Sequence, residues 1–285
     1  MTDMESLKIL VPTDFSVQAE YAYLMVKRLE ERIPVRTHFL HVLQVPDTVT
    51  MDRDGSIQTC GEIDVNYVLR QKEIAERKLA NLKSMYGKQI ETHLALGKVT
   101  DAIVNFSADR DFDLIVMGTK GSWGIRETLS GSETQMVARR SKTPVLSLMC
   151  DRSDLQIRNI LLVHNFSQPA KEDMALLQKL IPAFDTKVHM LQISTKKNDL
   201  EKSEVETNMK RFAELNDIGN YECHYMDDKD VESGVVHYNQ MNDMDIICIG
   251  THGKAGMLHR SETEKLINHL FKPIISFHLN SSIKS

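Results

Sequence analysis

The sequence predicts an α/β protein in two tandem copies, each a parallel sheet of about five strands flanked by helices. Three observations carry that expectation: an internal repeat, short runs dense in Val, Ile and Leu, and helix-period patterns between those runs. The copies are read as residues 1–150 and 151–285.

The repeat comes first because it sets the boundaries. Residues 9–16 read Ile-Leu-Val-Pro-Thr-Asp-Phe-Ser and residues 160–167 read Ile-Leu-Leu-Val-His-Asn-Phe-Ser. Residues 113–121 (Asp-Leu-Ile-Val-Met-Gly-Thr-Lys-Gly) match 245–253 (Asp-Ile-Ile-Cys-Ile-Gly-Thr-His-Gly), and 143–148 (Thr-Pro-Val-Leu-Ser-Leu) match 272–277 (Lys-Pro-Ile-Ile-Ser-Phe). The offsets are 151, 132 and 129 residues, so the copies differ in length twice. The larger difference falls around residues 45–66, polar and rich in turn formers, and is expected to be a surface loop. The smaller falls inside a glycine loop.

In the first copy Lys8–Val11, His38–Val42, Thr92–Leu96, Leu114–Met117 and Val145–Leu148 read as strands buried on both faces. Asn159–Val163, Lys187–Ile193, Tyr221–Tyr225, Ile246–Ile249 and Ile274–Phe277 repeat the order in the second. Between the first strands, Ala22, Val26, Leu29 and Ile33 recur at helical spacing behind Ser16 as N-cap. Ala75, Leu79, Leu82 and Tyr86 repeat the spacing, and helices are expected over Thr100–Ala108 and Ser132–Arg140. In such sheets ligands bind beyond the carboxyl ends of the strands.

After the fourth strand comes Gly118, then Gly121, then Gly131-Ser132 leading into a helix, a Gly-x2-Gly-x9-Gly-Ser pattern. Glycines let backbone N–H groups approach an anion, and a helix N-terminus adds oriented donors. With no Gly-Lys-Ser/Thr at the required spacing, the loop is not a Walker A motif. Turn glycines closing a strand are the plainer reading of the same pattern.

On these residues, together with Val11-Pro12-Thr13-Asp14-Phe15-Ser16, the chain resembles the universal stress protein family in its tandem form. The resemblance covers nearly the whole chain. It implies Rossmann-like, adenine nucleotide alpha hydrolase-like domains, with ATP or AMP bound in the first copy, with or without Mg2+. It places Asp14 and Val42 at the nucleoside and Gly118, Gly121, Gly131 and Ser132 along ribose and phosphates, with Thr13 and Met117 also among the nucleotide-binding residues. It also implies pairing of the two copies through their last strands, Val145–Leu148 beside Ile274–Phe277, and leaves room for a homodimer of chains.

The second copy departs from the pattern. Asn165 stands where the first has Asp14, and Arg260-Ser261 where it has Gly131-Ser132. Arginine attracts phosphate but denies the close backbone approach of glycine, so this loop is read as degenerate and its domain as a structural partner.

Other classes are disfavoured. The net charge is −5, with 19 Lys/Arg against 20 Asp/Glu in residues 1–150 and 16 against 20 in residues 151–285. Neither balance suits a nucleic-acid surface. Four scattered cysteines (Cys60, Cys150, Cys223 and Cys248) and the absence of a long apolar run fit a reduced, cytoplasmic chain without a membrane span. His252, His259 and His269 lack metal-ligand spacing, so no metal is expected. Cys248 and the methionines read as core filling, and Trp123 as a residue covering either the ligand or a seam between domains. No nucleophile, base and orienting acid assemble. The expected function is a regulatory or sensing nucleotide-binding module of the stress response with little or no catalysis. A weak ATP hydrolase or phosphotransferase and a nucleotide-free scaffold are the alternatives.

Overall fold

The computed structural model describes residues 6–52, 55–60, 63–87, 89–119, 130–195, 201–250 and 270–277. The first half runs β1 (Leu7–Pro12), α1 (Val17–Glu30), β2 (Val35–Leu43), β3 (Val49–Met51), β4 (Ile57–Thr59), α2 (Val65–Tyr86), β5 (Glu91–Leu96), α3 (Val99–Ala108), β6 (Leu114–Gly118), α4 (Ser130–Arg140) and β7 (Val145–Leu148). The second runs β8 (Asn159–Val163), α5 (Ala175–Phe184), β9 (Lys187–Ser194), α6 (Lys202–Leu215), β10 (Tyr221–Asp227), α7 (Val231–Asn242), β11 (Ile246–Gly250) and β12 (Ile274–Phe277).

Ten strands form one sheet in the order β10-β9-β8-β11-β12-β7-β6-β1-β2-β5. The five strands of each half are parallel among themselves, and β7 and β12 meet antiparallel with Leu146 opposite Ile275. Each strand run read from the apolar pattern is a strand here, with bounds shifted by at most a few residues. Strands buried on both faces need helices on both sides. One apolar layer joins alternate strand residues such as Ile9, Val11 and Val116 to α1, and continues through Ile160 and Leu162 to α5 and α6. The opposite layer joins Leu10, Leu40 and Ile115 to α3 and α4, and Leu191 and Ile249 to α7.

Side-chain caps start α1 and α2, and the Ser16 cap is the one the sequence predicts. Ser16 caps α1 by accepting from Ala19 N at 3.3 Å, and Asp64 caps α2 by accepting from Asn66 N and Tyr67 N. Ala22, Val26 and Leu29 are buried, but α1 ends at Glu30, so Ile33 is buried from the following turn, just before Pro34. The two halves repeat a strand-start device. Asp113 accepts from Lys8 N at 2.7 Å, and Asp245 accepts from Arg158 N and Asn159 N at 2.8 Å.

Two expectations need correction. The stretch around residues 45–66 is not simply a surface loop, because β3 and β4 pair antiparallel within it. Val45 and Val49 pack on Val68 of α2 in a small core of their own, which a bare loop would lack. The methionines are not all core: Met85 and Met241 are exposed, whereas Met25, Met190 and Met209 are buried. Cys248 is a buried core thiol and Cys60 is exposed. Among the described residues no helix is long and apolar enough to cross a membrane.

Candidate functional site

The chain leaves β1 toward β2 on one side and later returns to β6 on the other, so the strand order reverses at β1. A crevice is expected outside the carboxyl ends of the strands at such a reversal. A cavity of about 230 Å³ lies there. Thr13 and Asp14 line it after β1, Val42 on β2, and Met117 and Gly118 at the end of β6. These five residues, drawn from three separate segments, are brought together.

Gly131 and Ser132 fall in the first turn of α4, whose next residues Glu133 and Thr134 also line the cavity. The side chains of residues 130–132 lie outside the described set, as do Gly121, Lys120, Trp123 and Arg126 entirely. Sequence reasoning missed Gln18 of α1, Val99 and Ile103 of α3, and Glu133. Their signal was available, since each sits in the first turns of a helix that follows a strand of the same sheet.

The wall after β1 is held by its own side chains. Phe15 has a φ of 66°, in the left-handed region that a non-glycine residue enters only when held. Thr13 Oγ1 accepts from Phe15 N at 3.0 Å, and Asp14 Oδ1 accepts from Ser16 N at 2.9 Å. His41 Nδ1 lies 2.7 Å from the Thr13 carbonyl oxygen, to which it donates. Burial holds the His41 imidazole below its ordinary pKa, with the Thr13 carbonyl opposing that shift. A neutral ring that donates from Nδ1 fits both facts.

Gly118 has a packing reason to be glycine. A Cβ there would stand 2.1 Å from the carbonyl oxygen of Gln18, an impossible approach to helix backbone. The first turn of α1 therefore rests on the end of β6. Thr134 Oγ1 donates to the Gly118 carbonyl at 3.0 Å, tying α4 to the same spot. The Thr100 hydroxyl donates to the Glu133 carboxylate, linking the starts of α3 and α4.

The equivalent place in the second half is built differently. His164, Asn165, Gln192, Ile193 and Ile249 stand where the first half has Thr13, Asp14, His41, Val42 and Met117. Asn165 Oδ1 accepts from Ser167 N at 3.1 Å, the same turn that Asp14 makes. Ile193 is fully buried and lies against Gly234 of α7, where a Cβ would be 2.6 Å from its Cδ1. Val42 is only partly covered. His164 Nε2 lies 2.9 Å from Glu172 Oε1, and its ring packs on Phe166 and Phe212. Arg260 and Ser261 lie outside the described residues.

A doubly wound parallel sheet with a crevice at its strand-order reversal defines a Rossmann-like α/β protein, here carrying that unit twice along one sheet. The sequence profile of the universal stress protein family matches residues 6–148, half of the chain, and the chain belongs to that family. Universal stress protein MJ0577 of Methanocaldococcus jannaschii is 29% identical over 149 residues, which cover 49% of this chain and 92% of that protein. MJ0531 of the same organism is 27% identical over 139 residues, covering 49% and 79%. Across nearly its full length the chain superposes on the crystal structure of a universal stress protein from Archaeoglobus fulgidus. That match has a TM-score of 0.70 and 18% identity, covering 96% and 97% of the two chains, and it speaks to the fold.

Proposed function

We propose that the first half binds ATP or AMP in the crevice after β1, β2 and β6, and that the chain serves as a regulatory or sensing module of the stress response with little or no turnover. The observation that carries this reading is the convergence of Thr13, Asp14, Val42, Met117 and Gly118 on one cavity. Val42 and Ile103 supply apolar area for a base, and Asp14 supplies an acceptor for ribose hydroxyls. The start of α4, with Gly131 and Ser132, supplies backbone donors for phosphate. Glu133 beside those donors would repel a bare polyphosphate, which favours a nucleotide carrying Mg2+.

The second half, residues 151–285, acts in this reading as a structural partner, paired with residues 1–150 through β7 and β12 as one pseudo-twofold unit. Its burial of Ile193 supports that role.

Mass spectrometry of ligand released from purified, denatured protein tests the reading, together with calorimetry against ATP and AMP in Mg2+ and in chelator. An adenine nucleotide is expected at up to one per chain. Gly131→Asp should abolish it and Arg260→Ala should leave it unchanged. No copurifying nucleotide and no calorimetric affinity would sink the reading, and equal loss in both variants would sink the asymmetry.

A further inference from the structure

Among the described residues, histidines gather with a carboxylate in two clusters, both away from the crevice. On the edge of the first half, His38 of β2 sits opposite Glu91 of β5 in register, with His93 two residues further along the same face. On the edge of the second half, His189 of β9 sits opposite Glu222 of β10, again with His224 two residues on. Side chains two apart on a strand share a face, so the register alone converges each trio. Each trio lies toward the amino end of its own edge strand, β5 or β10, away from the carboxyl ends of its own half's strands.

The donor atoms form matching triangles. In the first trio His38 Nδ1 is 3.1 Å from His93 Nε2 and 3.4 Å from Glu91 Oε2, and His93 Nε2 is 3.8 Å from that oxygen. In the second, His189 Nδ1 is 3.1 Å from His224 Nε2 and 3.7 Å from Glu222 Oε2, and His224 Nε2 is 3.6 Å from it. The same ring nitrogens are used in both. Bond lengths of about 2.0–2.2 Å around a tetrahedral zinc ion put neighbouring ligand atoms about 3.3–3.5 Å apart, close to each of these edges.

We propose that each half carries a site for a divalent transition metal of the zinc class. His38, Glu91 and His93 form one and His189, Glu222 and His224 the other, each with a fourth position left for water. Two imidazoles and one carboxylate favour such an ion over Ca2+ or Mg2+, which take oxygen ligands. Burial holds the four imidazoles below their ordinary pKa, His93 down to about 4 with the help of its His38 neighbour, so they meet a metal as neutral ligands.

The second site is the better built. Asn159 Oδ1 lies 3.2 Å from His189 Nε2 and accepts a hydrogen bond from its N–H, which leaves the Nδ1 lone pair facing the trio. Lys187 holds Glu222 Oε1 at 2.5 Å, so that Oε2 is the oxygen turned toward the histidines. The Tyr238 hydroxyl is 3.5 Å from His189 Nδ1. In the first site Lys8 stands where the second has Asn159. Lys8, Arg36 and Arg110 all act on His38, against Lys187 alone on His189 and His224. Three nearby cations oppose a dication more than one does.

This inference is independent of the nucleotide reading. The full chain, stripped by chelator, is titrated with Zn2+ in calorimetry, and Co2+ is used as a visible probe of tetrahedral geometry. Two equivalents are expected, separated by about tenfold in affinity. His224→Gln should remove the tighter and His93→Gln the weaker, and Asn159→Ala should weaken the tighter by about 10–100-fold. His93 and His224 are each about a quarter exposed, so both variants should melt near the parent temperature in chelator. One equivalent lost with His224→Gln would uphold the second site and overturn the first. No saturable binding, or binding indifferent to both variants, would overturn the proposal and leave two hydrogen-bonded imidazole pairs.

Discussion

The crevice of the first half is a cavity, and at the equivalent place in the second half the described residues pack differently. What the halves share is scaffold. Asp14 and Asn165 make the same turn, and Asp113 and Asp245 hold the same strand starts. What they do not share is the packing of one side chain against one helix. Val42 and Ala102 of the first half become Ile193 and Gly234 in the second, and loss of a Cβ on α7 lets that helix settle onto the larger side chain. The lesson is that one larger side chain and one missing methyl can repack the wall of a binding fold while the paired strands stay in register.

The largest effect expected on this comparison comes from Gly118→Ala. Its new methyl would meet helix backbone rather than a movable side chain. We expect a loss of about 3 kcal/mol or more in denaturant unfolding, with nucleotide retention lost as well. A loss under 1 kcal/mol would mean α1 does not rest on β6 as described.

Next is Gly234→Ala, whose methyl would meet the Cδ1, Cγ2 and Cγ1 atoms of the Ile193 side chain rather than backbone. A loss of about 1–3 kcal/mol is expected, relieved in the double variant with Ile193→Val. A double-mutant cycle without coupling would show that Ile193 and Gly234 do not pack on each other as described.

A smaller effect separates His41 from Gln192. His41 is held below its ordinary pKa of 6.5 by burial, with Lys78 adding to that shift and the Thr13 carbonyl and Asp14 opposing it. Its neutral form is the one the fold accepts, so its contribution is complete above pH 6.5 and is lost as pH falls below that value. His41→Gln should flatten the fall in melting temperature between neutral and mildly acidic pH. An unchanged pH profile would argue that the fall comes from His38, His93, His189 and His224, which burial also holds low, and not from His41.

The smallest change in stability belongs to Asp14→Asn. Asn165 already makes this turn, so stability should hold within about 0.5 kcal/mol. Affinity for nucleotide should fall about tenfold or more, through loss of a charged acceptor. A stability loss as large as that of Gly234→Ala would show that the charge itself holds the turn.

Much of this was legible in the sequence because apolar density and repetition are local signals. The strand runs, the Ser16 cap and the alignment of Asp14 with Asn165 needed no tertiary information. The β3–β4 hairpin was missed because strands of three residues carry no readable period and lie among turn formers. Glu133 was missed because the glycine pattern drew attention to the loop before it. The histidine trios were hidden by distance along the chain: His38 and His93 meet only through strand register. One trace was present, since His38 and His189 are offset by 151 residues, and Glu-x-His at 91–93 recurs at 222–224.

The antiparallel seam also has a consequence in time. Until β12 exists, β7 is an unpaired apolar strand at the edge of a finished first half, the kind of edge that invites pairing with another chain. From Leu148 to Ile274 the ribosome must add 126 residues, which at ~5–20 residues per second takes roughly 6–25 s. For that interval each nascent chain displays a sticky edge, and crowded polysomes are where it would meet another like it.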